Sequence, residues 1–86
     1  MSPARATLAH VASRLAPIGR VSIKFGKVLE LDGSTVLSVN PSEALVIGPV
    51  LEADRLVLRA VNVAPGTSAE VIAASILART AGRRAA

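Results

Sequence analysis

Apolar residues recur at helical spacing over the first sixteen positions. Leu8, Val11, Ala12 and Leu15 form one stripe, with Arg5, Ser13 and Arg14 off it. Ser2 followed by Pro3 places a capping hydroxyl before a ring whose φ is already helical, so the pattern predicts a helix over about 3–16 that ends before Pro17. From Arg20 the period drops to two. Val21, Ile23, Phe25, Leu29 and Leu31 share one face, and Arg20, Ser22, Lys24, Gly26, Val28 and Glu30 share the other. One long strand over 20–31 is expected, bent or bulged at Gly26, where Lys27 intrudes on the apolar face. Phe25 is assigned to the core on this reading.

Asp32-Gly33 is a turn signal between two alternating runs, so 35–39 returns as the second strand of a hairpin. Asn40-Pro41 breaks the chain again. The continuously apolar 44–47 reads as a buried strand closed by Gly48-Pro49, and Glu52 to Arg55 as a polar turn. Residues 56–63 are apolar on both faces except at Arg59 and Asn62, which predicts a strand covered on two sides. Thr67 and Glu70 stand at capping-box spacing and open a helix over 68–81, with Val71, Ile72, Ser75, Ile76 and Arg79 along it and Gly82 as its stop. The predicted fold is therefore α+β: an N-terminal helix, about four antiparallel strands forming a small sheet or barrel-like core, and a C-terminal helix.

Composition sharpens this picture. At 86 residues the chain holds one domain, because a second core would leave each half too small to fold. Apolar residues make up 51% of it, with Phe25 the one aromatic ring among Phe, Tyr and Trp, so the core must be packed from aliphatic side chains and alanine. A chain this small buries only about 60–65% of its unfolded surface. With a mean hydropathy of +0.53, aliphatic surface is expected to stay exposed until a copy or a partner covers it. With no Cys and one His, thiol chemistry, disulfides, zinc clusters and haem attachment drop out, and no cofactor or metal is expected. The longest runs without a charged residue, Gly33–Ser42 and Ala60–Ala69, reach about half of the roughly 20 residues a membrane-spanning helix requires. Arg5, His10 and Arg14 interrupt what a signal peptide would keep apolar. The expected location is the cytoplasm, or a virion or protein shell assembled there.

Charge is segregated along the chain. Residues 1–29 carry Arg5, Arg14, Arg20, Lys24 and Lys27 and no acid, whereas 30–54 carry Glu30, Asp32, Glu43, Glu52 and Asp54 and no base. Residues 55–86 are basic again, with Arg55, Arg59, Arg79, Arg83 and Arg84 against Glu70. Complementary blocks of this kind steer and orient association. The aliphatic helix face at Val71, Ile72 and Ile76 would then be buried between copies, with Arg79, Arg83 and Arg84 meeting Glu43, Glu52 and Asp54 of a neighbour.

A sequence pI near 11.2 also suits a nucleic-acid partner, with Arg20, Lys24, Arg79, Arg83 and Arg84 as phosphate contacts. Single-strand binders stack bases on aromatic rings, and the chain has only Phe25 and His10 to offer. Catalytic patterns are thin. His10 and Ser13 lie three apart without an orienting acid, and Glu30 and Asp32 stand near no His. Pro65-Gly66-Thr67-Ser68 lacks the lysine and glycine spacing of a phosphate loop. The function expected is a non-enzymatic assembly subunit of a homo-oligomer, of the kind found in a virion, shell or connector. A basic nucleic-acid-associated protein is the alternative.

Overall fold

The computed structural model describes residues 3–52 and 57–85, with side chains described within 3–48 and 60–79. The elements run α1 (Pro3–Leu15), β1 (Val21–Lys24), β2 (Val28–Leu31), β3 (Ser34–Val39), β4 (Leu45–Glu52), β5 (Val57–Asn62) and α2 (Ala69–Ala85). The strands form an antiparallel meander in the order β1-β2-β3-β4-β5. The fold is α+β, as the pattern predicts, and its sheet is open rather than barrel-like: β1 and β5 are its edges.

The largest departure from the sequence reading falls on 20–31. Those residues are two strands, β1 and β2, paired antiparallel with Val21 opposite Leu31 and Lys24 opposite Val28. Phe25 and Gly26 both adopt positive φ (56° and 68°), and the Lys27 amide donates to the Lys24 carbonyl at 3.1 Å, a tight turn of the type I′ kind. A hairpin places apolar residues on the same face in both arms. Alternation therefore continues through the turn, and period alone cannot distinguish one bent strand from two.

Asp32-Gly33 forms the predicted second turn, again with positive φ at both residues (52° and 85°), and Leu31 pairs with Ser34 across it. Between Leu29–Leu37 and Glu30–Thr35 the register shifts by one residue on β3. This bulge lets Val36 and Leu37, neighbours in sequence, both be buried.

A second shift, between Ile47 and Val50, absorbs Gly48-Pro49 within β4. The predicted end of the strand at 47 is thus a bulge, the one interior position where a residue without an N–H is tolerated, and the strand continues to Glu52. Helix α2 likewise runs past Gly82 to Ala85. A glycine inside a helix costs about 1 kcal/mol relative to alanine but does not by itself end it.

Both helices lie on one face of the sheet. Leu8, Val11 and Leu15 of α1 and Ile72, Ala73 and Ile76 of α2 join Leu29, Leu31, Val36, Leu37, Val39, Leu45 and Ile47 in one buried aliphatic cluster. The opposite face has no helix on it among the described residues. There Val28, Ser38 and Val46 are half-buried in one ladder row with exposed Asn62.

The cap of α2 is Ser68 rather than Thr67. Its Oγ accepts from the Val71 amide at 3.2 Å, while the Thr67 hydroxyl donates back to the Ala64 carbonyl at 2.6 Å. Glu70 is therefore freed from a capping box and accepts from the Arg14 guanidinium at 3.0 Å, tying the start of α2 to the end of α1.

Candidate functional site

The β1–β2 hairpin places the chain's one aromatic residue outside the fold. Phe25 is 85% exposed at the tip of the turn, which corrects its assignment to the core. Lys24 and Lys27 flank it, both exposed. Behind it on the edge strand, Ile23 faces Leu29 across the ladder yet stays 43% exposed. Ile18, in the α1–β1 connection, is 45% exposed. Large apolar side chains outside the core are thus concentrated on the β1 side of the molecule, with Val71 on α2 as the other instance among the described residues.

The end of the sheet that carries Phe25 also carries a groove of about 520 Å³. Pro3, Ala4 and Thr7 of α1 form one wall, Glu43, Ala44 and Leu45 of the β3–β4 turn another, and Val63 to Thr67 the third. The β3–β4 turn is built by Asn40, whose Oδ1 accepts from the amides of Ser42 (2.9 Å) and Ala44 (3.0 Å). This brings Glu43 into the left-handed region at φ 61° and its carboxylate to 3.7 Å from the Arg5 guanidinium. A second groove, of about 380 Å³, lies between β5 and α2, with Ile47, Val61 and Ile72 at its base and Arg79 at its side.

The predicted contact residues are not brought together as expected. Ile72 and Ile76 are in the chain's own core, so they are not free to form a surface between copies. Val71 precedes Ile72 by one residue, about 100° around the helix, and is 55% exposed. Periodicity groups such neighbours, but only the packed helix decides which side faces inward. Glu43 lies at the groove and pairs with Arg5. The side chains of Glu52, Arg83 and Arg84 and the whole of Asp54 fall outside the described residues, and Arg79 is half-buried along α2.

Among the predicted phosphate contacts, Arg20 stands in a shallow hollow with Glu30 and Asp32, two carboxylates that repel phosphate. Lys24 pairs with Glu30 at 3.5 Å. The sheet thus neutralises locally what looks basic along the sequence. Among the described residues, no cluster of three or more His, Cys, Asp or Glu is placed to hold a metal ion, and no helix is long and apolar enough to cross a membrane.

Sequence reasoning missed the exposed Phe25 and the groove. A signal for the first was present: Phe-Gly followed by Lys inside an alternating run is a short hairpin turn in which phenylalanine occupies a positive-φ place normally held by Asn, Asp or Gly. No protein-family model matches the chain, and no curated protein or solved structure shows significant similarity to it.

Proposed function

We propose that this chain is a non-enzymatic assembly module that associates with copies of itself. The observation that carries the reading is Phe25, 85% exposed on a turn whose backbone disfavours it, with Ile23 and Ile18 half-exposed on the same side. Left-handed backbone costs a residue with a side chain roughly 1–2 kcal/mol. A large apolar ring held in water at that cost contributes nothing to the isolated fold, whereas burial against a second surface stabilises by about 25 cal/mol per Å² of apolar area. A virion, shell or connector component is the setting such a subunit suits, and the cytoplasm the place of its assembly. Sedimentation velocity from micromolar to near-millimolar protein tests the reading: a weight-average mass that rises with concentration is expected, and a monomer throughout refutes it.

The exposed ring also favours a second reading, a basic nucleic-acid-associated protein, since an aromatic side chain beside lysines is what single-strand binders stack bases on. The carboxylates around Arg20 and Lys24 weigh against it. Salt separates the two readings. Binding to single strands falls with a log-log slope of about −0.7 per phosphate neutralised, whereas association through apolar contacts changes little.

A further inference from the structure

We infer that two copies pair about a two-fold axis at the turn end of the sheet, each placing Phe25 in the groove formed by α1, the β3–β4 turn and the β5–α2 connection of the other. This pairing rests on the self-association reading above and specifies its geometry. Tip and groove stand at the same end. The Val39 amide donates to the Lys27 carbonyl at 2.9 Å, Val39 pairs with Leu45, and the Val63 amide donates to the Leu45 carbonyl at 2.9 Å. Leu45 and Val63 line the groove. The tip on β2 and the groove wall on β4 are thus two strand spacings apart, about 10 Å. One two-fold operation therefore sets each tip over the other copy's groove, and the contact closes on itself instead of growing into a filament.

Size and charge agree with this occupant. An apolar cavity of about 150 Å³ holds a benzene ring, so a groove of about 520 Å³ admits the Phe25 ring with the stems of its flanking lysines. Glu43, at the groove wall and 3.7 Å from the Arg5 guanidinium, carries a carboxylate that Lys27 beside the ring would share with Arg5. Of the three non-glycine residues with left-handed backbone among the described residues, two, Phe25 and Glu43, stand at this end. Two inserted rings bury about 300–500 Å² of side chain, below the roughly 1,200 Å² of a standard interface. The dimer is accordingly weak and forms at high protein concentration.

Sedimentation equilibrium on the full chain, run beside its variants, tests the pairing. Phe25→Asn should weaken dimerisation by at least about tenfold, as loss of a buried aromatic anchor does, while its melting midpoint does not fall. Ala44→Trp, which fills the groove from an exposed position, should weaken it as much. Lys27→Glu and Glu43→Lys should each weaken it, and the double variant should recover most of the loss. A wild-type chain that stays monomeric overturns both the pairing and the self-association reading. An oligomer indifferent to Phe25→Asn and Ala44→Trp, or one larger than a dimer, overturns the pairing alone. If Phe25→Asn leaves self-association intact but abolishes retention on single-stranded DNA, the ring belongs to nucleic acid and the pairing is wrong.

Discussion

Strand β2 is bounded by two turns that each place two consecutive residues at positive φ but carry opposite residue types there. At one end Asp32-Gly33 uses the residue such a turn favours, and the Asp32 carboxylate is put to work: its Oδ1 accepts from the Arg20 amide at 2.9 Å while the Asp32 amide donates to the Arg20 carbonyl at 2.8 Å. At the other end Phe25-Gly26 uses a residue the backbone disfavours, and its ring projects into solvent. The first turn serves the fold and is explained by it. The second has the cost of such a turn while its side chain stays in solvent.

Packing follows the same division. On β1, Val21 next to the Asp32 turn is half-buried while Ile23 toward the Phe25 turn is 43% exposed; their β2 partners Leu31 and Leu29 are both buried. Truncation should therefore separate the buried β2 residue beside the Asp32 turn from the exposed β1 residue beside the Phe25 turn. Leu31→Ala removes a buried side chain and should cost about 2–5 kcal/mol, whereas Ile23→Ala, at a half-exposed edge, should cost no more than about 1.5 kcal/mol. Urea denaturation of the two variants measures both, and equal losses would break the contrast.

A smaller effect is expected at the Asp32 latch itself. Gly19 lies so close to it that an added Cβ would stand 2.9 Å from both Asp32 carboxylate oxygens and from Leu31 Cδ1. Gly19→Ala should push the carboxylate off the Arg20 amide and cost about 1–3 kcal/mol. Asp32→Asn keeps both the turn preference and an acceptor oxygen, so it should cost less. If the two cost the same, the carboxylate is not what holds the α1–β1 connection against the turn.

How far the fold was readable follows the same physics. Both helices follow from period, and so do the inward residues Leu8, Val11 and Leu15 of α1, because a helix declares its buried face every three to four residues; that Ile72 and Ile76 of α2 face the chain's own core instead of a neighbour does not. The Asp32-Gly33 and Asn40-Pro41 turns are readable because their side chains take part in the turn. The Phe25-Gly26 turn was not, since its residue type argues for a strand and only the position of Gly26 argues against it. The bulge at Gly48-Pro49 and the continuation of α2 through Gly82 depend on neighbouring strands and on the residues that follow, information a local window does not contain. The groove has contributions from three separated segments and is a property of the packed chain alone.

The comparison is sharpened most by changing the Phe25 turn into the kind found at the other end. Phe25→Asn creates the Asn-Gly pair that this backbone favours. Relief of left-handed strain, less the loss of whatever loose contact the ring makes, should stabilise the monomer by about 0.5–1 kcal/mol. For a chain of this size that raises the melting midpoint by roughly 2–8 °C. Thermal unfolding at dilute protein, where self-association does not contribute, isolates this gain. A lower midpoint would mean that the ring supports the fold after all.

The smallest effect should come from the ion pair beside the tip. Lys24 and Glu30 lie on the outer face of β1 and β2, diagonal across the ladder, with Nζ 3.5 Å from Oε1. Lys24 keeps more than half of its side chain exposed while Glu30 is mostly covered, so the attraction is well screened. A double-mutant cycle with Lys24→Ala and Glu30→Ala should give a coupling of about 0.2–1 kcal/mol that shrinks as salt rises. That is no larger than the strain stored at Phe25, so the pair cannot be what keeps the tip in its left-handed conformation. Hydrogen exchange locates the consequence: the Lys27 amide, which closes the Phe25 turn, should exchange faster than the Asp32 amide, which is bonded to the Arg20 carbonyl at the latched end. Equal protection would place the two turns in one cooperative unit, and the strain at Phe25 would then be held by the whole sheet.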